Sequence, residues 1–175
     1  MNYEFKKISE EHRKPIIDIF NFFIEKGFAA YPEDKVPYEF FDMMLKMTQG
    51  YPAIVVVNGD SQDQIIGFAF MRAYHPMKAF KRAAEVSYFL LPEFTRQGIG
   101  KTIMEFLVQE AKKINADTLL ADISSLNEES IRFHEKMGFS HCGCFRRVGK
   151  KFGKDFDVVW MQKLLRQERN YETMV

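Results

Sequence analysis

Two cysteines in 175 residues are too few for a disulfide framework. Cys142 and Cys144 stand two apart, so on one strand they share a face, as two small buried side chains would. The run His141-Cys142-Gly143-Cys144 falls short of a structural zinc site, which needs four ligands. The other histidines are His12, His75 and His134, there is no second Cys pair, and no metal is expected. An excess of one charge is also missing. With 25 Lys and Arg against 24 Asp and Glu the net charge is +1, without the basic surplus of a large nucleic-acid surface. No apolar run approaches the roughly 18 residues of a membrane span. The start, Met1-Asn2-Tyr3-Glu4-Phe5-Lys6-Lys7, has no apolar stretch after a basic one, so no secretory leader is expected. These absences leave a cytoplasmic protein with neither nucleic acid nor membrane as partner.

The abundant residue is phenylalanine, at 18, which with 7 Tyr and 1 Trp brings aromatics to 15% of the chain. Either the core is aromatic-rich, or rings line a pocket, or both. The length suits one domain that buries about 70% of its unfolded surface and needs no staple.

Ser9-Glu10-Glu11-His12 reads as a helix entry with Ser9 as N-cap. Ile16, Ile17, Phe20, Phe23 and Ile24 follow at helical spacing up to Gly27. A second helix is expected over Phe40 to Met47. The pattern then turns to strands: Ala53 to Val57, a turn, and a return from Gln64 to Tyr74, followed by Ala83 to Leu91. A helix from Gly98 to about Asn115, a strand from Thr118 to Ile123, a helix from Asn127 to Met137 and strands near 139–148 and 156–164 complete the chain. Lys150, Lys151 and Lys154 read as a solvated hairpin. The expected fold is α/β: one domain over 1–165 with a mixed, mostly antiparallel central sheet and helices on both faces, then a polar tail at 166–175.

The sharpest motif is Arg96-Gln97-Gly98-Ile99-Gly100-Lys101-Thr102, between a strand and a helix. Its glycines let backbone N–H groups turn toward one point, and the free N–H groups at a helix start favour an anion, for which a pyrophosphate is the natural guest. A nucleotide P-loop needs a Gly where Thr95 stands, and a dinucleotide fingerprint needs one where Ile103 stands, so both fail. The pyrophosphate loop of acyl-CoA-binding acetyltransferases ends in G-x-G and opens a long helix. It fits, with Thr95 where Arg or Gln is usual.

With Ser124-Ser125-Leu126-Asn127-Glu128-Glu129-Ser130, His134-Glu135-Lys136-Met137-Gly138-Phe139, Gly149-Lys150-Lys151-Phe152-Gly153-Lys154, Asp157-Val158-Val159 and Met161-Gln162 in order, the chain resembles the GNAT superfamily of acetyl-CoA-dependent N-acetyltransferases. Its C-terminal half resembles the phosphinothricin and L-amino-acid N-acetyltransferase branch. The resemblance implies acetyl-CoA as co-substrate. Leu90 and Leu91 would lend backbone groups to the pantetheine arm. N–H groups from Gln97, Gly98, Ile99, Gly100 and Lys101, with the charge of Arg96, would hold the pyrophosphate. Asn127 and Ser130 would flank the cofactor, and His134 would protonate the departing thiolate. The chain departs from that branch at Phe80 and Lys81, where Tyr and Arg are usual, and at His75 and Met77, where members acting on amino-acid-like substrates often carry an R-x-R pair.

Glu85 is the lone acid in an otherwise apolar strand and the candidate base for the amine, acting through water. Its competing reading is a salt bridge to Arg82 or Lys81. Of the aromatic cluster over the first two helices, Phe28 and Tyr31, together with Phe80, are candidates to line an amine pocket. The expected activity is acetyl transfer from acetyl-CoA to the primary amine of a small molecule, by direct attack on the thioester. The rival readings are a protein, peptide or aminoglycoside amine as acceptor, a non-catalytic acyl-CoA-binding module, and a nucleotide hydrolase. A homodimer is the base-rate expectation for assembly.

Overall fold

The computed structural model describes residues 2–61 and 63–166, so 167–175 of the expected tail lie outside the described residues. The strands are β1 (Tyr3–Lys7), β2 (Ala53–Asn58), β3 (Gln64–Ala73), β4 (Ala83–Leu90), β5 (Thr118–Ser124), β6 (Ser140–Lys151) and β7 (Lys154–Leu164). The helices are α1 (Arg13–Lys26), α2 (Phe40–Met47), α3 (Ile99–Lys113) and α4 (Glu128–Lys136). The strands form one sheet in the order β1-β2-β3-β4-β5-β7-β6. Every neighbouring pair is antiparallel except β4 and β5.

Both faces of the sheet are covered, and the β-branched and aromatic strands are buried on both sides as such a sheet requires. Alternate residues supply two cores. Val55, Val57, Phe68 and Phe70 pack with Ile16, Ile17 and Phe41 of α1 and α2. Ile54, Val56, Ala69, Met71, Ala84 and Val86 pack with Ile99, Ile103, Met104 and Leu107 of α3. Ser9 does open the first helical segment, through a single 3-10 turn at Glu10–His12 in which the Ser9 N–H donates to His12 Nδ1 at 3.0 Å.

The feature that positions the site is the parallel pair. β4 and β5 meet only at Ala83–Thr118, Ala84–Leu119 and Glu85–Leu120. Beyond that rung β4 stays with β3 as far as Leu90–Gly67, and β5 stays with β7 as far as Ser124–Val158. The sheet therefore opens in a wedge between the two strands.

The last hairpin corrects two expectations. Cys142 and Cys144 are exposed, not buried. They lie on the edge strand, and the register slips between His141 and Gly143, so the alternation that would bury both does not apply. Lys151 is not solvated but fully buried. Its Nζ donates to Ile24 O at 2.6 Å, Gly27 O at 2.8 Å and Ala30 O at 2.8 Å. The three donors of the ammonium are matched to carbonyls at the end of α1 and in the loop that follows it. The turn itself is only Phe152-Gly153, both at positive φ (51° and 72°), the geometry that continues the strand twist. This two-residue turn carries the strands out to Lys151 and Lys154.

Candidate active site

A cleft of about 860 Å³ passes through the wedge. One wall is Val86 to Leu90 of β4, the other Ala121 to Ser124 of β5. The Leu91 N–H donates to Ile66 O at 2.9 Å. By antiparallel alternation, residues 85, 87 and 89 then also point their backbone groups at β3, while those of Tyr88 and Leu90 point to the open side. Leu90 is thus placed to bind an extended chain along the strand. Leu91 is not: its N–H is taken, and it packs into the core under α1 and α2.

Thr95, Arg96, Gly98, Gly100 and Lys101 border the cleft on the α3 side. Gly98 is the N-cap of α3 at φ 86°, a left-handed conformation that costs a residue with a Cβ. A Cβ at Gly100 would touch the Phe133 ring of α4 at 3.4 Å, so anything larger than alanine there would crowd the space between α3 and α4. The first N–H groups of α3 have no carbonyl of their own helix to bond. Ile99 contributes backbone there while its side chain is core, and Gln97 turns its side chain back to Glu93 O at 3.0 Å. Arg96 pairs with Glu129 at 2.9 Å. The donor set fits a pyrophosphate: an exposed helix start, two flanking cations and no bulk at the two glycines.

α4 carries the next group. Asn127 Oδ1 caps the helix by accepting from the Ser130 N–H at 3.3 Å. His134 is buried, and its Nδ1 lies 2.8 Å from Ser130 O. A carbonyl can only accept, so the ring proton sits on Nδ1 and Nε2 carries the lone pair. The Tyr88 hydroxyl stands 3.4 Å from both ring nitrogens, beside the ring and not in line with one of them. Burial pushes the His134 imidazole below its ordinary pKa, opposed by the Ser130 carbonyl. It likewise pushes the Tyr88 phenol up.

The opposite face of the sheet holds the other end of the cleft. Glu85 is buried and faces Arg72, its register partner on β3, in an ion pair. Neither cation foreseen from the sequence is its partner. Arg82 instead engages Asp117 at 2.7 Å. Burial raises the Glu85 carboxyl pKa, opposed by the Arg72 charge. Glu85 itself does not border the cleft, whereas Arg72, Asp122 and Tyr31 do. The Tyr31 phenol is pushed up by burial and then by the neighbouring Asp122 carboxylate. Phe20, Phe23, Phe40 and Met47 complete this end, with Phe20 stacked on Phe40 at 5.6 Å.

Of the three aromatic candidates, only Tyr31 lines the cleft. Phe28 packs on Phe152 and Phe156 at 5.9 Å, and Phe80 packs on Tyr74 and His75 outside it. The sequence reading missed Arg72, Tyr88 and Asp122. Asp122 carries the same signal as Glu85, a lone acid in an apolar strand. Among the described residues no group of three His, Cys, Asp or Glu is placed to hold a metal ion, and no helix is long and apolar enough to cross a membrane.

A sheet that opens beside a helix-start anion site, with strand backbone exposed along the opening, is the architecture of an acyl-CoA-dependent transferase. The chain belongs to the acetyltransferase (GNAT) domain family, which matches residues 6–160, and it is an N-acetyltransferase with acetyl-CoA as donor. It is 29% identical over 163 residues to a phosphinothricin N-acetyltransferase of Streptomyces coelicolor, covering 89% of this chain and 92% of the relative. A GNAT superfamily phosphinothricin acetyltransferase from Sinorhizobium meliloti, solved in complex with AcCoA, superposes with a TM-score of 0.86. It is 26% identical, and the match covers 94% of this chain and 89% of that one. A ribosomal-protein-alanine N-acetyltransferase from Brucella melitensis superposes with a TM-score of 0.83 at 29% identity, over 93% of this chain and 99% of that one.

Proposed function

We propose that this enzyme acetylates the primary amine of a small, amino-acid-like acceptor by direct attack on the thioester. One observation carries the reading: the cleft crosses the sheet at the wedge. It joins the anion site of α3 on one face to a compact end on the other, where Arg72, Asp122 and Tyr31 stand among Phe20, Phe23 and Phe40. That end suits a small charged molecule with an apolar body. The phosphinothricin relatives are consistent with it.

Acetyl-CoA supplies an activated acyl group when bound, and the chain's residues do the rest. The N–H groups from Gln97 to Lys101 with Arg96 hold the pyrophosphate, the open backbone of Tyr88 and Leu90 aligns the pantetheine arm, and Asn127 and Ser130 flank it. On the acceptor face Asp122 holds the ammonium, and Glu85, reached through water, takes its proton. On the α4 face Tyr88 serves the leaving sulfur. A phenol raised above its ordinary pKa of about 10 does not surrender its proton to a thiolate near 8.5, but it does donate a hydrogen bond. His134 is neutral with its proton directed at Ser130 O, and its ring packs against that of Tyr88 at 5.5 Å between centroids, so its part is to position the phenol, whose one proton is left for the sulfur.

The test is thiol release from acetyl-CoA with amino acids, their sulfone and phosphinic analogues, polyamines and peptides as acceptors. Release with the amino-acid-like set is expected. Release with peptides alone would assign a protein or peptide amine. Binding of acetyl-CoA without release on any amine would make this a non-catalytic module.

A further inference from the structure

We infer that Arg72 selects acceptors that carry a carboxylate beside their amine, a reading that rests on the acceptor site proposed above. The guanidinium borders the cleft but is poorly provided for. One of its terminal nitrogens pairs with Glu85. The other faces only the Met47 sulfur at 4.0 Å, a weak acceptor. Nε is buried with no hydrogen-bond partner among the described residues. A guanidinium has five N–H donors, and buried donors without acceptors are costly to keep. Met47 borders the cleft together with Arg72, so a carboxylate arriving there meets the terminal nitrogen that now has only the sulfur.

The other cations bordering the cleft stand elsewhere. Arg96 and Lys101 belong to the start of α3, and Arg132 and Lys136 to α4. Arg72 is therefore the one cation that the described lining offers to an acceptor anion on the α1 and α2 face. Its place along the sheet fits as well. Arg72 shares the Glu85 rung, the last at which β4 and β5 are joined, and Ser87, two residues further on and about 7 Å along the strand, borders the cleft where the wedge opens. Asp122, bordering the same space, offers the matching negative charge to the ammonium. His75 and Met77 supply no guanidinium, so a carboxylate would be met from the strand itself.

The experiment compares kcat/KM for a free amino acid and for its amide, each corrected for the fraction of unprotonated amine, at saturating acetyl-CoA. In the unmodified enzyme the acid is expected to be preferred by about tenfold or more. In Arg72→Gln that ratio is expected to fall to within about twofold of unity, while Arg72→Lys keeps part of it and both keep the KM for acetyl-CoA. Because the readout is a ratio, a general loss of activity cancels. If Arg72→Gln fails to fold, the unmodified enzyme and Arg72→Lys still decide. Equal use of acid and amide, or an unchanged ratio in Arg72→Gln, overturns the role of Arg72 and leaves acetyl transfer standing. Absence of thiol release from either substrate overturns the proposed amino-acid-like acceptor instead.

Discussion

Glu85 sits where two demands conflict. A base must be ionised to accept a proton, yet burial favours the neutral carboxyl, and only the Arg72 charge restores part of the balance. In the proposed mechanism the working form is the carboxylate, so kcat/KM should climb with pH as Glu85 loses its proton, through a range above that of an ordinary carboxyl. Glu85→Gln keeps the shape but removes both the ionisation and the partner of Arg72. Turnover should fall by about a hundredfold, the low end for general base catalysis because the base acts through water, and the acidic limb of the profile should disappear. A pH series of kcat/KM on both proteins reads this directly. An unaltered profile in Glu85→Gln would show that the carboxylate only anchors Arg72.

At the scale of elements, the last hairpin shapes the end of the cleft proposed for the acceptor. Lys151 ties the end of β6 to the carbonyls of Ile24, Gly27 and Ala30, and Tyr31 follows at once, stacked on Phe156 of β7 at 5.9 Å. Lys151→Met fills similar space and leaves three carbonyls without their donor. A loss of about 3 kcal/mol is expected, since each unmet buried group costs about 1 kcal/mol or more. Denaturant unfolding measures it, and the KM of the amine should rise while that of acetyl-CoA holds. This tie was invisible in the sequence. Helices and strands declare themselves by local period, and the bounds read for α2, β2 and β3 agree with the structure to a residue or so. The glycine motif was equally legible, because Gly98 and Gly100 act through their own backbone. A lysine in a basic run is solvated by every local criterion, and only the packing of the chain's two ends reveals three carbonyls waiting for it. Arg72 and Asp122 escaped for the same reason. Each becomes part of a site only when the opening of β4 from β5 turns one sheet face into a cleft.

Across the whole molecule, the cleft joins the two faces of one sheet at the wedge, and the proposed mechanism, with one substrate on each face, sets the order of events. A covalent relay would need a nucleophile in the cleft with a base beside it. The two cysteines are exposed on the edge strand β6 and border no part of the cleft. Ser130 does stand beside an imidazole, with Oγ 3.4 Å from His134 Nδ1, but that nitrogen carries its proton toward Ser130 O and has no lone pair to activate the hydroxyl. Neither supports a covalent relay, in keeping with the direct transfer proposed within a complex of both substrates. Initial rates measured against acetyl-CoA at several fixed amine concentrations should therefore give intersecting double-reciprocal lines. The double variant Cys142→Ala, Cys144→Ala should turn over at the unmodified rate, and mass spectrometry of the enzyme after incubation with acetyl-CoA alone should find no added acetyl group. Parallel lines together with an acetylated Ser130 would mean that the imidazole adopts the other tautomer during turnover. The two faces of the wedge would then work one after the other instead of at once.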